Sequence, residues 1–339
     1  MKIALDALGG DYGVKPNVLG AIKATEDFGC EVILVGDEEK INEELKQNSY
    51  DPAKITVVHA PEMIDMDASP AMEYRRKKNA SIVVCAKLVK EGKADVMISA
   101  GNSGATMVAA LFGLGRIKGV SRPAIASPMP TQKGMALIVD AGANADCDAV
   151  NLLQFAVLGS TYYQCANGKA NATVGLLSIG EEEGKGNLLI KETTKHIRKL
   201  GLNYYGNIEG RDIHTGMIDI VVCDGFVGNI VLKTSEGLAK ALFGMIKANL
   251  KGKPLAMLGM LMSKAALRGV KRATDPDIAG GAPLLGVNGN VIISHGKSNA
   301  KAIYHAIKAG IKTVESKALK AMEEAIAAHK AVFDEAEGK

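Results

Sequence analysis

Residues 95–114 read DVMISAGNSGATMVAALFGL. The stretch opens on an apolar run, crosses a turn of small residues from Ser99 to Gly104, and continues in a helical composition. Strand, small-residue turn and helix is the repeating unit of parallel α/β sheets. The same succession recurs along the chain. Ile- and Val-rich runs at 2–5, 31–35, 55–59, 95–99, 136–139, 173–179, 218–223 and 291–293 predict strands. Their unbroken apolar character suits strands covered on both faces. Helices are predicted between them at 17–28, 38–47, 70–91, 105–114, 150–166, 188–200, 229–249 and 299–329. The βαβα order predicts a mostly parallel sheet with helices on both sides. It is read as one large α/β domain over 1–334, a helical excursion over about 239–272, and a frayed end at 335–339.

Composition narrows the function classes. A chain of 339 residues buries a sizeable core. Aromatic residues are only 4% and Trp is absent, which argues against stacking on nucleic-acid bases. The net charge of +4 demands no polyanionic partner. Cys30, Cys85, Cys147, Cys165 and Cys223 form no CxxC pair and read as reduced thiols of a cytoplasmic protein. The start, MKIALDALGGDYG, is not patterned as a signal peptide, and no run of about 18 uncharged apolar residues predicts a membrane span.

In parallel sheets, ligands bind where strands end and helices begin. Six turns are predicted at such places. Asp6-Ala-Leu-Gly9-Gly10-Asp11 is either a tight turn with a capping Asp or two carboxylates orienting a Lys, an amide or a ligand hydroxyl. Ser99-Ala-Gly101-Asn102-Ser103-Gly104-Ala105 offers backbone and side-chain donors at a helix start, either as a cap or as an anion cradle. It matches neither GxxxxGK[ST] nor GxGxxG, so no nucleotide fingerprint is present. Asp140-Ala-Gly-Ala-Asn144 is expected at the same rim. Lys185, between two glycines in 179–187, is either a solvated lysine or a point charge for phosphate or an oxyanion. Asp224, Gly228 and Asn229 open another helix, with Lys233 one turn beyond Asn229 on the same face. His295 and Ser298 lie between the last strand and the last helix, where His295 is either a structural hydrogen-bonder or a ligand. No Gly-x-Ser-x-Gly elbow occurs and no His/Asp/Glu cluster suggests a metal. Cys147 lacks an obvious base nearby.

The 239–272 excursion departs from this rhythm. Leu255, Met257, Leu258, Met260, Leu261 and Met262 are too many large apolar groups for a one-sided surface helix. Lys264, Arg268 and Arg272 recur every fourth residue, with Lys271 beside them. The segment is either an apolar helical pair packed on its own domain or a second subunit, or a hairpin meeting a membrane, an acyl chain or an acidic carrier through Leu258, Leu261, Met262 and the basic row.

Taken in order, KIALDALGGD, SAGNSGA, VDAGAN, GNIEGRD at 206–212, CDGFVGN with Lys233, and GGAPLLGVNG with ISHGKS resemble the bacterial phosphate acyltransferase family, PlsX (acyl-carrier-protein:phosphate transacylase). Leu8 and Ser103 stand where that family often has Met and Thr, and Asp277-Ile-Ala replaces a common aromatic. The resemblance implies a three-layer Rossmann-like sheet related to phosphate acetyltransferases and isocitrate-type dehydrogenases. It also implies a homodimer that touches the membrane and transfers acyl groups from acyl-carrier protein to inorganic phosphate. No cofactor is implied. The product would pass to a membrane glycerol-3-phosphate acyltransferase. The expected catalytic groups are Lys185 and Asn229, with Lys233 and His295 behind them. Rival readings are a short-chain phosphate acyltransferase using acyl-coenzyme A, an isocitrate-type dehydrogenase, and a non-enzymatic scaffold.

Overall fold

The computed structural model describes residues 1–65, 69–263, 268–270, 272 and 274–338. Lys264 and Lys271 of the expected basic row lie outside them. The strands are β1 (Lys2–Asp6), β2 (Glu31–Gly36), β3 (Ile55–His59), β4 (Val96–Ser99), β5 (Ala124–Thr131), β6 (Gly134–Val139), β7 (Val174–Leu177), β8 (Tyr204–Ile208), β9 (Ile220–Val222), β10 (Ala282–Leu285) and β11 (Asn290–Ile293). They form one sheet in the order β3-β2-β1-β4-β11-β10-β5-β6-β9-β7-β8. The helices are α1 (Val14–Phe28), α2 (Glu38–Lys46), α3 (Pro70–Arg76), α4 (Ser81–Lys90), α5 (Ser103–Gly113), α6 (Ala149–Asn167) and α7 (Leu188–Ile197). They continue with α8 (Gly225–Leu250), α9 (Pro254–Met262), α10 (Pro276–Ala279), α11 (Ala300–Glu315), α12 (Ala318–Ala328) and α13 (Lys330–Ala336).

The α/β class follows the sequence, but the sheet is not parallel throughout. Three successive pairings, β11–β10, β10–β5 and β5–β6, are antiparallel. An odd number of reversals leaves β6, β9, β7 and β8 running opposite to β3, β2, β1, β4 and β11. The six turns therefore do not share one rim. Those after β1, β4 and β11 leave the sheet at one edge, and those after β6, β9 and β7 leave at the other.

Strands β5, β8 and β10 were not expected. Pro128 and Pro130 interrupt β5, yet both pair with β6 beyond the reach of β10, on an edge that tolerates a missing amide hydrogen. Gly206 weakens the pattern of β8, and β10 is four residues after a Gly pair. Two expected helices are broken. Lys77 ends α3 before α4, and Lys317, at φ 55°, separates α11 from α12. Glu335, expected at the frayed end, lies within α13 and pairs with Lys199.

Core burial follows the layers. One face of the β1/β2/β4 half packs Ile3, Leu5 and Leu34 against Val18 of α1 and Ile303 and Ile307 of α11. The opposite face packs Met97 against Cys85 of α4 and Ala109 of α5. In the other half α6 is apolar on nearly every side, with Leu152, Phe155 and Leu158 fully buried. Such a helix belongs inside a domain. A second layer there is α8, whose Val227, Val231 and Leu232 cover Ile138 and Val221.

Candidate active site

At the first edge the three turns are tied together. The Asp6 carboxylate accepts from the Ser99 hydroxyl at 2.7 Å and from the amides of Leu8 and Gly9 at 3.2 and 3.1 Å. Ser99 Oγ in turn accepts from the Gly101 amide at 3.0 Å. A Cβ on Gly9 would lie 2.7 Å from the Gly101 nitrogen, so only glycine lets the turns meet. Burial pushes the Asp6 carboxyl up, against its hydrogen bonds, which pull it down. Asn102 caps α5 by accepting from the Ala105 amide, which places Ser103 and Gly104 in the first helical turn. The Asp11 amide donates to the Gly296 carbonyl at 2.7 Å and joins the first turn to the His295 loop. Ser298 is buried and donates to the His295 carbonyl. Asp6, Ser99 and Ser298 thus brace the turns, while Gly10, Asp11, Ser103 and His295 face outward.

Helix α8 connects this edge to the other one. Its N-terminus docks on the turn after β6. The Gly225 amide donates to the Asn144 carbonyl at 2.7 Å, and Asp224 accepts from the Val227 amide at 2.8 Å. Gly142, at φ 139°, lies against the Asn229 side chain. Lys233, one turn further, reaches His295 Nε2 at 3.2 Å and Glu236 at 3.1 Å. Eight residues of helix, about 12 Å, carry the chain from Gly225 to Lys233, back toward the first edge. Asn229, Lys233 and His295 are exposed along this groove.

Three sequence expectations change here. Asp140 is fully buried and accepts from the amides of Ile125, Gly142, Ala143 and Asn144 and from the Asn144 side chain, at 2.8–3.1 Å. Asn144 donates a second time, to the Pro123 carbonyl. Both residues are buried and hold the turn. Gly228 is equally committed, because its amide donates to the Asp224 carbonyl and a Cβ there would lie 1.9 Å from the Asp140 carbonyl oxygen. The expected cradle at the start of α8 is filled by the chain itself.

Lys185 is exposed in the loop after β7, at the edge shared with the Asp140 turn and the start of α8. Its neighbours Glu183 and Glu181 pair with Arg198 and Arg211. Burial and Asp140 push the Cys147 thiol up to about 12, so it stays protonated. Sequence reasoning missed Glu236 and Gly142. Glu236 sits three residues after Lys233 on the same helix face, which was a legible signal. Gly142 needed the structure.

The outer part of α8, together with α9, is unlike the rest of the surface. Leu242, Met245, Leu255, Leu258, Leu261 and Met262 are each more than half exposed, and Arg268 and Arg272 follow them. Among the described residues no helix is long and apolar enough to cross a membrane.

The comparisons agree with this architecture. The model of a family described as fatty acid synthesis protein matches residues 1–321. A phosphate acyltransferase of Elusimicrobium minutum is 55% identical over 340 residues, covering all of both chains. One from Pelotomaculum thermopropionicum is 50% identical over 319 residues, covering 94% of this chain and 93% of its own. Among solved structures, a phosphotransacetylase of Streptococcus pyogenes superposes with a TM-score of 0.61 at 20% identity, covering 94% of each chain. That likeness speaks for the fold, and the sequence matches speak for the family. The chain belongs to the phosphate acyltransferase family.

Proposed function

We propose that this acyltransferase moves a long-chain fatty acyl group from acyl-carrier protein to inorganic phosphate, giving an acyl phosphate for phospholipid synthesis. One observation supports the long-chain donor. The helix that carries Asn229 and Lys233 runs on into an exposed apolar outer end, and α9, equally apolar and exposed, follows it after a short turn at 251–253. A donor with a short acyl group on coenzyme A needs no such face.

The chemistry asks for positioning and charge stabilisation. A phosphate oxygen attacks the thioester carbonyl carbon, the new C–O bond forms, and the C–S bond breaks with its electrons leaving on sulfur. The thiolate takes a proton from water. Lys185 and Asn229 support the negative charge that grows on the carbonyl oxygen. Gly101, Ser103 and Gly104 present the start of α5 to the anionic end of the groove. The apolar face of α8 and α9 is covered by a second copy and by the membrane surface, where Arg268 and Arg272 meet an acidic carrier or anionic headgroups. The acyl phosphate then passes to a membrane glycerol-3-phosphate acyltransferase.

The test is release of free carrier thiol from palmitoyl-acyl-carrier protein, with the acyl product trapped by hydroxylamine. Release that requires phosphate is expected. Turnover only on short-chain acyl-coenzyme A would move the chain to the short-chain reading. Silence on both donors would refute the proposal. Lys185→Ala is expected to lower turnover about 10²–10³-fold. Unchanged turnover would remove Lys185 from the mechanism.

A further inference from the structure

The contact between Lys233 and His295 contains more donors than acceptors. His295 Nδ1 lies 3.2 Å from the Lys297 amide, which can only donate. Partial burial, with Lys233 beside it, holds the His295 ring below the ordinary histidine range, so it is neutral near pH 7. A neutral imidazole has one acceptor nitrogen and one N–H. With Nδ1 accepting, the proton sits on Nε2. Nε2 faces the Lys233 ammonium at 3.2 Å, and an ammonium has no lone pair. Lys233 also donates to Glu236 at 3.1 Å. Two donors therefore converge with no acceptor between them.

The pair has further polar neighbours. Gly10, at φ 103°, packs on the loop that carries His295, where an added Cβ would lie 3.2 Å from the Gly296 carbonyl oxygen. The charged groups that act on the ring are Lys233 and Lys240 on one side and Glu236 and Asp11 on the other. One N–H of Lys233 goes to Glu236, which leaves further Lys233 N–H groups and His295 Nε2 as the donors of the pair.

We propose that Lys233 and His295 are the phosphate-holding pair, with one phosphate oxygen accepting from Nζ and Nε2 together. This rests on the phosphate acyltransfer reading and divides its labour. The pair holds the nucleophile, and Lys185 with Asn229 supports the carbonyl oxygen. A phosphate dianion keeps further unprotonated oxygens after accepting both bonds, so one remains to attack. His295 donates a hydrogen bond and transfers no proton.

The experiment uses the full-length protein. Binding of inorganic phosphate is measured by equilibrium dialysis without acyl donor, alongside KM for each substrate. Lys233→Met and His295→Ala are expected to weaken phosphate about 10- to 100-fold, the loss of a charge-assisted hydrogen bond, with KM for the acyl donor unchanged. His295→Gln, whose amide nitrogen falls near Nε2, is expected to recover most of the affinity, and His295→Asn is not. Long-range ¹H–¹⁵N NMR is expected to show His295 as the Nε2–H tautomer. Wild-type phosphate affinity in both Lys233→Met and His295→Ala would overturn the assignment. So would a fall in kcat with phosphate affinity intact, which would place the pair on the carbonyl oxygen. An Nδ1–H tautomer would overturn it as well. Absence of phosphate-dependent turnover in the wild-type protein would instead refute the underlying reading.

Discussion

Replacing Asp140 by Asn separates a structural role from a ligand role. The two carboxylate oxygens divide their donors unequally. Oδ1 accepts from the amides of Ile125, Gly142 and Ala143, and Oδ2 accepts from the Asn144 amide and side chain. Asn keeps the shape but offers only one acceptor oxygen. Its lowest-cost orientation turns the NH2 toward the Asn144 pair and strands two buried donors. At about 1–3 kcal/mol per unsatisfied buried group, Asp140→Asn should cost about 2–6 kcal/mol. Asp140→Ala strands all of the donors and should cost more. Urea unfolding followed by circular dichroism reads the difference as a midpoint lowered by about 1 M or more. Activity should persist at temperatures where the variant remains folded, since Asp140 is fully buried and both its oxygens are taken by its own turn. A variant that unfolds within about 0.5 kcal/mol of wild type but has lost phosphate binding would refute the structural assignment.

Three further outcomes are expected. Gly228→Ala should fail to dock the start of α8, because its methyl would sit 1.9 Å from the Asp140 carbonyl oxygen, and soluble yield with thermal unfolding measures this. His295 titrates below the ordinary histidine range, so its unfolded form binds the proton more tightly. Stability is therefore full above about pH 6.5 and falls on acidification, and wild type should lose more than His295→Gln between pH 7 and 5 in denaturant titrations. Leu258→Glu with Leu261→Glu should abolish flotation with anionic vesicles, and flotation equal to wild type would show that α9 does not meet the membrane.

Much of the fold was legible because its strands are apolar on both faces. β1, β2, β4 and β6 leave little doubt in a sequence, since Ile, Val and Leu follow one another without alternation. The direction of the strands was not legible. Nothing in APLL or AIASPMPT distinguishes an antiparallel connection, and the prolines of β5 actively hide it. The candidate site suffered for the same reason. Asp140 and Asn144 look from the sequence like Asp11, an acid or amide beside small residues after a strand. Only the hydrogen bonds distinguish a carboxylate filled by its own turn from a turn whose outward groups remain open.

The reversal within the sheet also explains why one helix carries so much of the groove. With strand ends divided between two edges, the two halves present their turns at different rims. Helix α8 begins at one edge, on the Asp140 turn, and its direction brings Lys233 to His295 at the other. The groove is therefore assembled from both halves of the chain, across the β10–β5 junction. Two donors on opposite halves can hold a small anion only if the halves keep a fixed relation. Among the described residues, Lys233 and His295 join the two halves here, and with the proton on His295 Nε2, as proposed, both are donors awaiting an anion. Phosphate would then fasten the two halves as well as supply the nucleophile. Protection of the α8 backbone from hydrogen exchange should rise with phosphate in wild type and stay flat in Lys233→Met. Equal protection in both would mean that the groove is rigid without its anion.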